Sequence, residues 1–330
     1  MNPRLKKIGL YTAFLGVAIL LMWWLYKDVS WENELKPALQ TVHWGWVMVS
    51  FTFGYLATIL RGFRWNIMLE PLGYHTTKWN GAHAVAFGYS MNYLIPRSGE
   101  LARCTILNRV DRIPVNTLIG NVILERIVDM ALLCCLIIAA FVLNTDAINQ
   151  LFAQMEPGKA RLLGYALIIA IVGAVVFIAL LKRLSAKSAF LAKIYAFVQG
   201  IVSGVSTIFK LKRQMAFWLY SLGIWISWLL MTYCSMLAIQ ATNFMTLRDT
   251  VFFMAAGSLG MIVPTPGGAG SFHGMSVLAF EALGYPGALG KIYALISWSI
   301  KTAFEILVGV IGFFVLSNTA SKRPEHDPTV

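Results

Sequence analysis

The sequence predicts an all-α polytopic membrane protein with six transmembrane helices and two re-entrant helical hairpins arranged as an inverted repeat, both termini cytoplasmic. Three observations carry that expectation. Composition is the first: 58% of the 330 residues are hydrophobic and only 13% are charged. That is more apolar surface than a soluble core uses, and several runs approach or exceed the ~18 residues of a membrane span. The second is a pair of shorter apolar runs, about 80–95 and 250–263, which stop at Ile95-Pro96-Arg97-Ser98-Gly99-Glu100 and Val263-Pro264-Thr265-Pro266-Gly267-Gly268. As helices these reach roughly 21–24 Å against ~30 Å of hydrocarbon, so each is expected to enter the bilayer and turn back. The third is the placement of Lys and Arg along the chain.

The full crossings are placed at about 9–26, 44–62, 115–143, 162–181, 214–240 and 289–316. The first has the basic start and apolar run of a signal peptide. Trp23, Trp24 and Tyr26 nevertheless follow where small cleavage residues belong, so it reads as an uncleaved helix ending in an aromatic belt. Basic residues fall in five groups: Arg4, Lys6 and Lys7; Arg61, Arg64 and Lys78; Arg97, Arg103, Arg109 and Arg112; seven between Lys182 and Arg213; and Lys322 with Arg323. Together these hold 19 of the 27 Lys and Arg residues, so they are placed on the cytoplasmic side. The opposite loops hold Lys27, Lys36, Lys159, Arg161 and Arg248, diluted by nearby carboxylates.

This sidedness works only if both interrupted segments are hairpins, because counting either as a crossing inverts every later loop. The first half, 1–145, then reads crossing, crossing, hairpin, crossing, and the second, 146–317, repeats that order from the other face. Local echoes agree: Ser90 and Ser258 each lie six residues before the hairpin proline, and Gly99 and Gly267 three after it. The stretch 183–213 between the halves mixes basic and apolar residues. It reads either as an amphipathic helix on anionic lipid or as an ordinary helical linker. The polar tail, 318–330, is expected to be disordered.

A net charge of +12 raises nucleic acid as a partner, but the basic residues flank hydrophobic runs and form no readable binding motif. Cys104, Cys134, Cys135 and Cys234 have neither zinc nor CxxC redox spacing, so no metal site is expected. No GxxxxGK[ST] motif is present, hence no ATP drive, and no cofactor is expected.

Charge inside the apolar runs marks the candidate site. Glu125, Arg126 and Asp129 lie in the third crossing, with Arg126 roughly 16 Å from its start, near the midplane. Charges there cost several kcal/mol unless paired or hydrated. Their spacing lets all three share a face, either as a functional cluster or as a buried ion pair holding the bundle together. The sixth crossing carries Lys301 and Glu305, in the less favourable order for an isolated pair, which points to partners on other elements. At the first hairpin, Arg97, Glu100 and Arg103 flank a helix start at Gly99, a combination suited to phosphate. The bland reading leaves Arg97 and Arg103 beside lipid headgroups. At the second, Pro264 and Pro266 end the first arm, and Gly267, Gly268 and Gly270 allow a turn with bare N–H donors. His273 follows as a headgroup or proton site, or as a packing residue, and His83 is a weaker candidate.

At these residues the chain resembles the lysylphosphatidylglycerol synthase transmembrane-region family, also called flippase-like integral membrane proteins. The matching pieces are Pro96-Arg97-Ser98-Gly99-Glu100 with Arg103, then Glu125-Arg126-Ile127-Val128-Asp129, then Pro264-Thr265-Pro266-Gly267-Gly268-Ala269-Gly270. The family pattern usually has an acidic residue where this chain has His273. The resemblance implies a membrane domain that moves a lipid, or a lipid-linked sugar or phosphate, between leaflets of a bacterial or archaeal plasma membrane. Some members add an aminoacyl-transferring or glycosyltransferase domain. Only fourteen residues follow Leu316 here, so lysyl transfer is not expected of this polypeptide.

The leading expectation is therefore a non-enzymatic flippase for an anionic or polyprenyl-phosphate-type lipid, with Arg97, Arg103 and Arg126 neutralising phosphate and Lys301 adding a cation. Glu100, Glu125, Asp129 and Glu305 would orient them or carry a coupling proton; sodium coupling and passive scrambling stay open. Two alternatives are an integral membrane enzyme acting on a lipid phosphate and a non-transporting scaffold with a basic cytoplasmic face.

Overall fold

The computed structural model describes residues 3–146 and 211–321, together with scattered positions between them. The chain divides into two compact units, Met1–Asn144 with Met215–Val330, and Thr145–Gln214. The predicted crossing at 162–181 and most of the 183–213 segment lie outside the described residues.

The described chain forms ten α-helices: α1 (Pro3–Tyr26), α2 (Lys36–Gln40), α3 (Trp44–Leu69), α4 (Lys78–Leu94), α5 (Gly99–Asp111), α6 (Val115–Leu143), α7 (Gln214–Ala238), α8 (Leu247–Gly260), α9 (Ser271–Ala282) and α10 (Gly287–Ser321). Four of these, α3, α6, α7 and α10, are long and apolar enough to cross a membrane. Helix α6 has the predicted bounds. Helix α3 runs past the predicted end at Gly62 to Leu69 because the arginines that seemed to close it are neutralised inside the protein. Helix α10 continues to Ser321, so 318–321 are helical rather than part of a disordered tail.

Both proline-glycine interruptions are hairpins. Thr77 caps α4 by accepting from the Asn80 N–H at 3.1 Å, and the helix stops at Ile95, whose extended backbone (φ −132°) is what a following proline favours. Arg97 then takes a left-handed φ of 60° and α5 begins at Gly99. The Asn80 amide donates to Asp111 at 3.3 Å, so the start of α4 lies beside the end of α5. The arms touch backbone to backbone: a Cβ on Gly99 would overlap the Gly88 carbonyl oxygen. In the second hairpin Phe253 of α8 packs edge-on to Phe280 of α9 (5.8 Å), and Phe244 before α8 meets Tyr285 after α9 (5.1 Å).

The hairpins enter from opposite ends of α3. Asn66, near its C-terminus, donates to the Thr76 carbonyl at 3.3 Å, just before α4. At the other end the His43 N–H donates to the Ala238 carbonyl (2.8 Å), which joins the start of α3 to the end of α7. Thr250 of α8 lies 3.4 Å from the Met236 sulfur nearby. Two apolar cores fill the two ends, one around Trp65, Val85, Leu107 and Leu118, the other around Met236, Phe253, Phe280 and Tyr293. Charge occupies the space between them.

Thr246 caps α8 reciprocally with Asp249: the Asp249 N–H donates to the Thr246 hydroxyl (3.2 Å) and the Thr246 N–H donates to the Asp249 carboxylate (2.9 Å). Thr246→Ala is expected to cost about 1 kcal/mol. The thermal unfolding midpoint of the detergent-solubilised protein should fall by a few degrees.

Candidate functional site

A buried ion cluster lies where α3, α5 and α6 meet. Arg61 and Arg64, three apart on α3, face Glu125 and Asp129, four apart on α6, and both spacings keep the pairs on single helix faces. Arg61 lies 2.6 Å from Asp129 and 3.3 Å from Glu125, and Arg64 lies 2.8 Å from Asp129 and 3.5 Å from Glu125. Arg103 of α5 completes the set 3.2 Å from Glu125. All five are buried, and Glu125 is 0% exposed. Charges at that depth persist only when paired. Aromatic faces add support, with the Arg61 guanidinium 4.9 Å from the Trp228 ring and that of Arg103 4.9 Å from Trp65.

Three expectations change here. Arg61 and Arg64 read as cytoplasmic positive-inside residues, yet both lie in the interior. Arg103, expected to neutralise phosphate, is buried in the ion cluster against Glu125. Arg126 does not join Glu125 and Asp129 in the ion cluster, since it lies ~100° round the helix from Glu125; it pairs instead with Glu100 at 2.5 Å, both side chains a little under half exposed. The signal for Arg61 and Arg64 was their spacing of three, which, like the four between the α6 carboxylates, puts both on one helix face. Ending the helix at Gly62 hid it.

The hairpin tips meet beside this cluster. An Arg97 Nη donates to the Ile262 carbonyl at 2.5 Å. Tyr93, near the end of α4, donates its hydroxyl to Glu305 at 2.6 Å, and its ring lies against Gly267, where any Cβ would collide with it. Gly267 also has a left-handed φ of 55°, so glycine is required twice over. Trp298 of α10 donates its indole N–H to the Gly267 carbonyl at 2.8 Å. Lys301 and Glu305 lie 3.6 Å apart and pair with each other, and the partner expected on another element is Tyr93, for Glu305.

The second tip differs from what its glycines suggested. Its N–H groups are not bare: those of Gly268, Ala269 and Gly270 donate to Thr265 O (3.2 Å), Pro266 O (2.9 Å) and His273 Nδ1 (3.3 Å). His273 thus caps α9, with its ring fully buried against Tyr26, Phe272 and Trp298. An accepting Nδ1 puts the proton of the neutral ring on Nε2. His83 lies against Trp79 on α4.

A cavity of about 800 Å³ opens between α3, α4, α6, α7, α8, α10 and the two tips. Of the residues singled out in the sequence, Arg97, Glu100, Arg126, Asp129, Pro264, Gly267, Gly268, Lys301 and Glu305 line it. Arg61 lines it as well. Glu125 and Arg103 stand behind Arg61 and Asp129 in the ion cluster, and Gly99, Pro266 and His273 support the tips without lining the space.

Apolar spanning helices and opposed hairpins that close on a charged cavity define an all-helical integral membrane protein. The chain belongs to the lysylphosphatidylglycerol synthase TM region family, whose pattern matches residues 11–309. A UPF0104 membrane protein of Methanocaldococcus jannaschii is 20% identical, over 96% of this chain and 98% of that protein. No solved structure gives a significant match.

Proposed function

We propose that the protein carries an anionic lipid headgroup between leaflets, exposing one central site alternately to each side. The observation that supports this most is the meeting of two hairpins, entering from opposite ends of the bundle, at a cavity lined by Arg97, Arg126 and Lys301. Irregular backbone at membrane depth is tolerated where it lines a cavity, and paired interrupted segments are where transporters hold substrate. In this reading the hairpins are re-entrant, the six crossings form an inverted repeat with both termini cytoplasmic, and the host is a bacterial or archaeal plasma membrane.

Arg97, Arg126 and Lys301 contact the headgroup because they line the space and remain partly exposed, while Arg103 and Glu125 position Arg61 from behind. Movement of the tips, with Arg97 leaving Ile262, opens one side at a time. Proton or sodium coupling through Glu100 or Glu305 fits the same arrangement.

The test is movement of a labelled anionic phospholipid in liposomes containing the purified protein. Arg97→Ala and Arg126→Ala are each expected to slow it at least tenfold while leaving the unfolding midpoint near that of the parent. Lys36→Ala, at an exposed position outside the cavity, serves as control. Unaltered movement with both cavity variants would refute the assignment, and chemical change of the lipid would replace transport with catalysis.

A further inference from the structure

The charge inventory of the cavity selects among anionic lipids. Its charged lining consists of Arg61, Arg97, Arg126, Lys301, Glu100, Asp129 and Glu305; the ion pairs of those residues bring in Arg64 and Glu125, and Glu125 in turn brings in Arg103. With every group ionised, six cations face four anions. The pairs show where the surplus lies. Arg126 is matched by Glu100 and Lys301 by Glu305. Arg61, Arg64 and Arg103 share Glu125 and Asp129, leaving one positive charge over. Arg97 contributes the second, since the partner shown for it is the neutral Ile262 carbonyl. The charge left over in the buried cluster is costly, and a dianion that reaches Arg61 and Arg97 from the cavity matches the whole surplus.

We infer that the natural ligand is a lipid ending in a phosphate monoester, a dianion, rather than a phosphodiester lipid carrying one charge. This rests on the headgroup site proposed above. A monoester phosphate offers three terminal oxygens, which suits the forked donors of Arg97 and Arg126. Unused donors also line the space: the Tyr89 hydroxyl and the Trp225 indole N–H are buried without a hydrogen-bond partner among the described residues. An apolar part of the wall, including Phe51, Leu133, Trp228, Met231 and Phe304, supplies a place for the tail. Met130, also in the lining, is 65% exposed, so the cavity reaches the outer surface of its unit.

The experiment measures binding to the purified full-length protein in neutral detergent. The probes are phosphatidic acid, phosphatidylglycerol with the same acyl chains, and inorganic phosphate. At pH 8.5 phosphatidic acid is expected to bind at least tenfold more tightly than phosphatidylglycerol. At pH 5.5, below the second ionisation of a phosphate monoester near pH ~6, the ratio should fall towards two. Arg97→Gln should reduce the pH 8.5 preference to about threefold or less. Equal binding of the two lipids at pH 8.5 would overturn the inference, as would a preference unaffected by pH or by Arg97→Gln. Inorganic phosphate binding as tightly as phosphatidic acid would overturn the lipid part and assign a free-phosphate site. The readout requires no leaflets: selective binding without movement in liposomes would refute transport and leave the ligand class standing, while transport without selectivity would do the reverse.

Discussion

Glu125→Ala is expected to prevent the protein from accumulating in a folded form, a larger effect than any substitution in the cavity lining. Glu125 is fully buried and lies within 3.5 Å of Arg61, Arg64 and Arg103. Its loss leaves Arg61 and Arg64 with Asp129 alone and takes away the carboxylate that pairs with Arg103. Breaking one buried pair costs about 3–5 kcal/mol, a large part of the ~5–15 kcal/mol that holds a domain folded. Glu125→Gln keeps the shape but not the charge and should fall between Ala and the parent. Adding Arg103→Gln to Glu125→Gln restores the charge balance and is expected to recover at least half of the lost thermal stability. The unfolding midpoint and the monodisperse yield after detergent extraction measure both effects. If Glu125→Ala matched the parent, the cluster would not be holding the bundle together.

The second large effect is expected at Gly99→Val. A Cβ at this position would overlap the Gly88 carbonyl oxygen and lie 2.7 Å from the Asn92 side-chain nitrogen. A backbone carbonyl cannot swing aside as a side chain does. The arms of the first hairpin must therefore separate, at a cost of 1–3 kcal/mol or somewhat more. Separation moves the tip, because the Gly99 N–H donates to Asn92 at 2.9 Å and Arg97 lies two residues away. The expected result is a lowered unfolding midpoint together with loss of lipid movement. Gly120→Ala on α6 is the control: a Cβ there meets nothing within 4 Å, so stability should hold or rise slightly.

Much of the architecture was legible in the sequence because it depends on local signals. Apolar length located α3, α6, α7 and α10, and Pro96, Pro264 and the glycines after them marked both turns. The membership of the ion cluster was less legible. Glu125 and Asp129 stood out as charges deep inside an apolar run. Arg61 and Arg64 did not, because an arginine near the end of such a run normally faces headgroups, and only the carboxylates of another helix make its burial affordable. The sequence likewise could not say that Arg126 turns towards Glu100, that His273 is spent on capping α9, or that Trp298 fixes the second tip. These are long-range contacts, and helical spacing specifies a face without naming what lies opposite.

The central claim is that the two hairpin tips touch at the middle of the bundle. Its most direct measurement is cross-linking of Arg97→Cys with Ile262→Cys by a short bifunctional thiol reagent. It is done in native membranes on a chain whose own four cysteines are replaced by serine. Efficient intramolecular cross-linking is the expected result, with little from Arg97→Cys paired with Thr246→Cys at the far end of α8. Failure of the tip pair to cross-link, under conditions where Asn80→Cys and Asp111→Cys do so readily, would contradict the account.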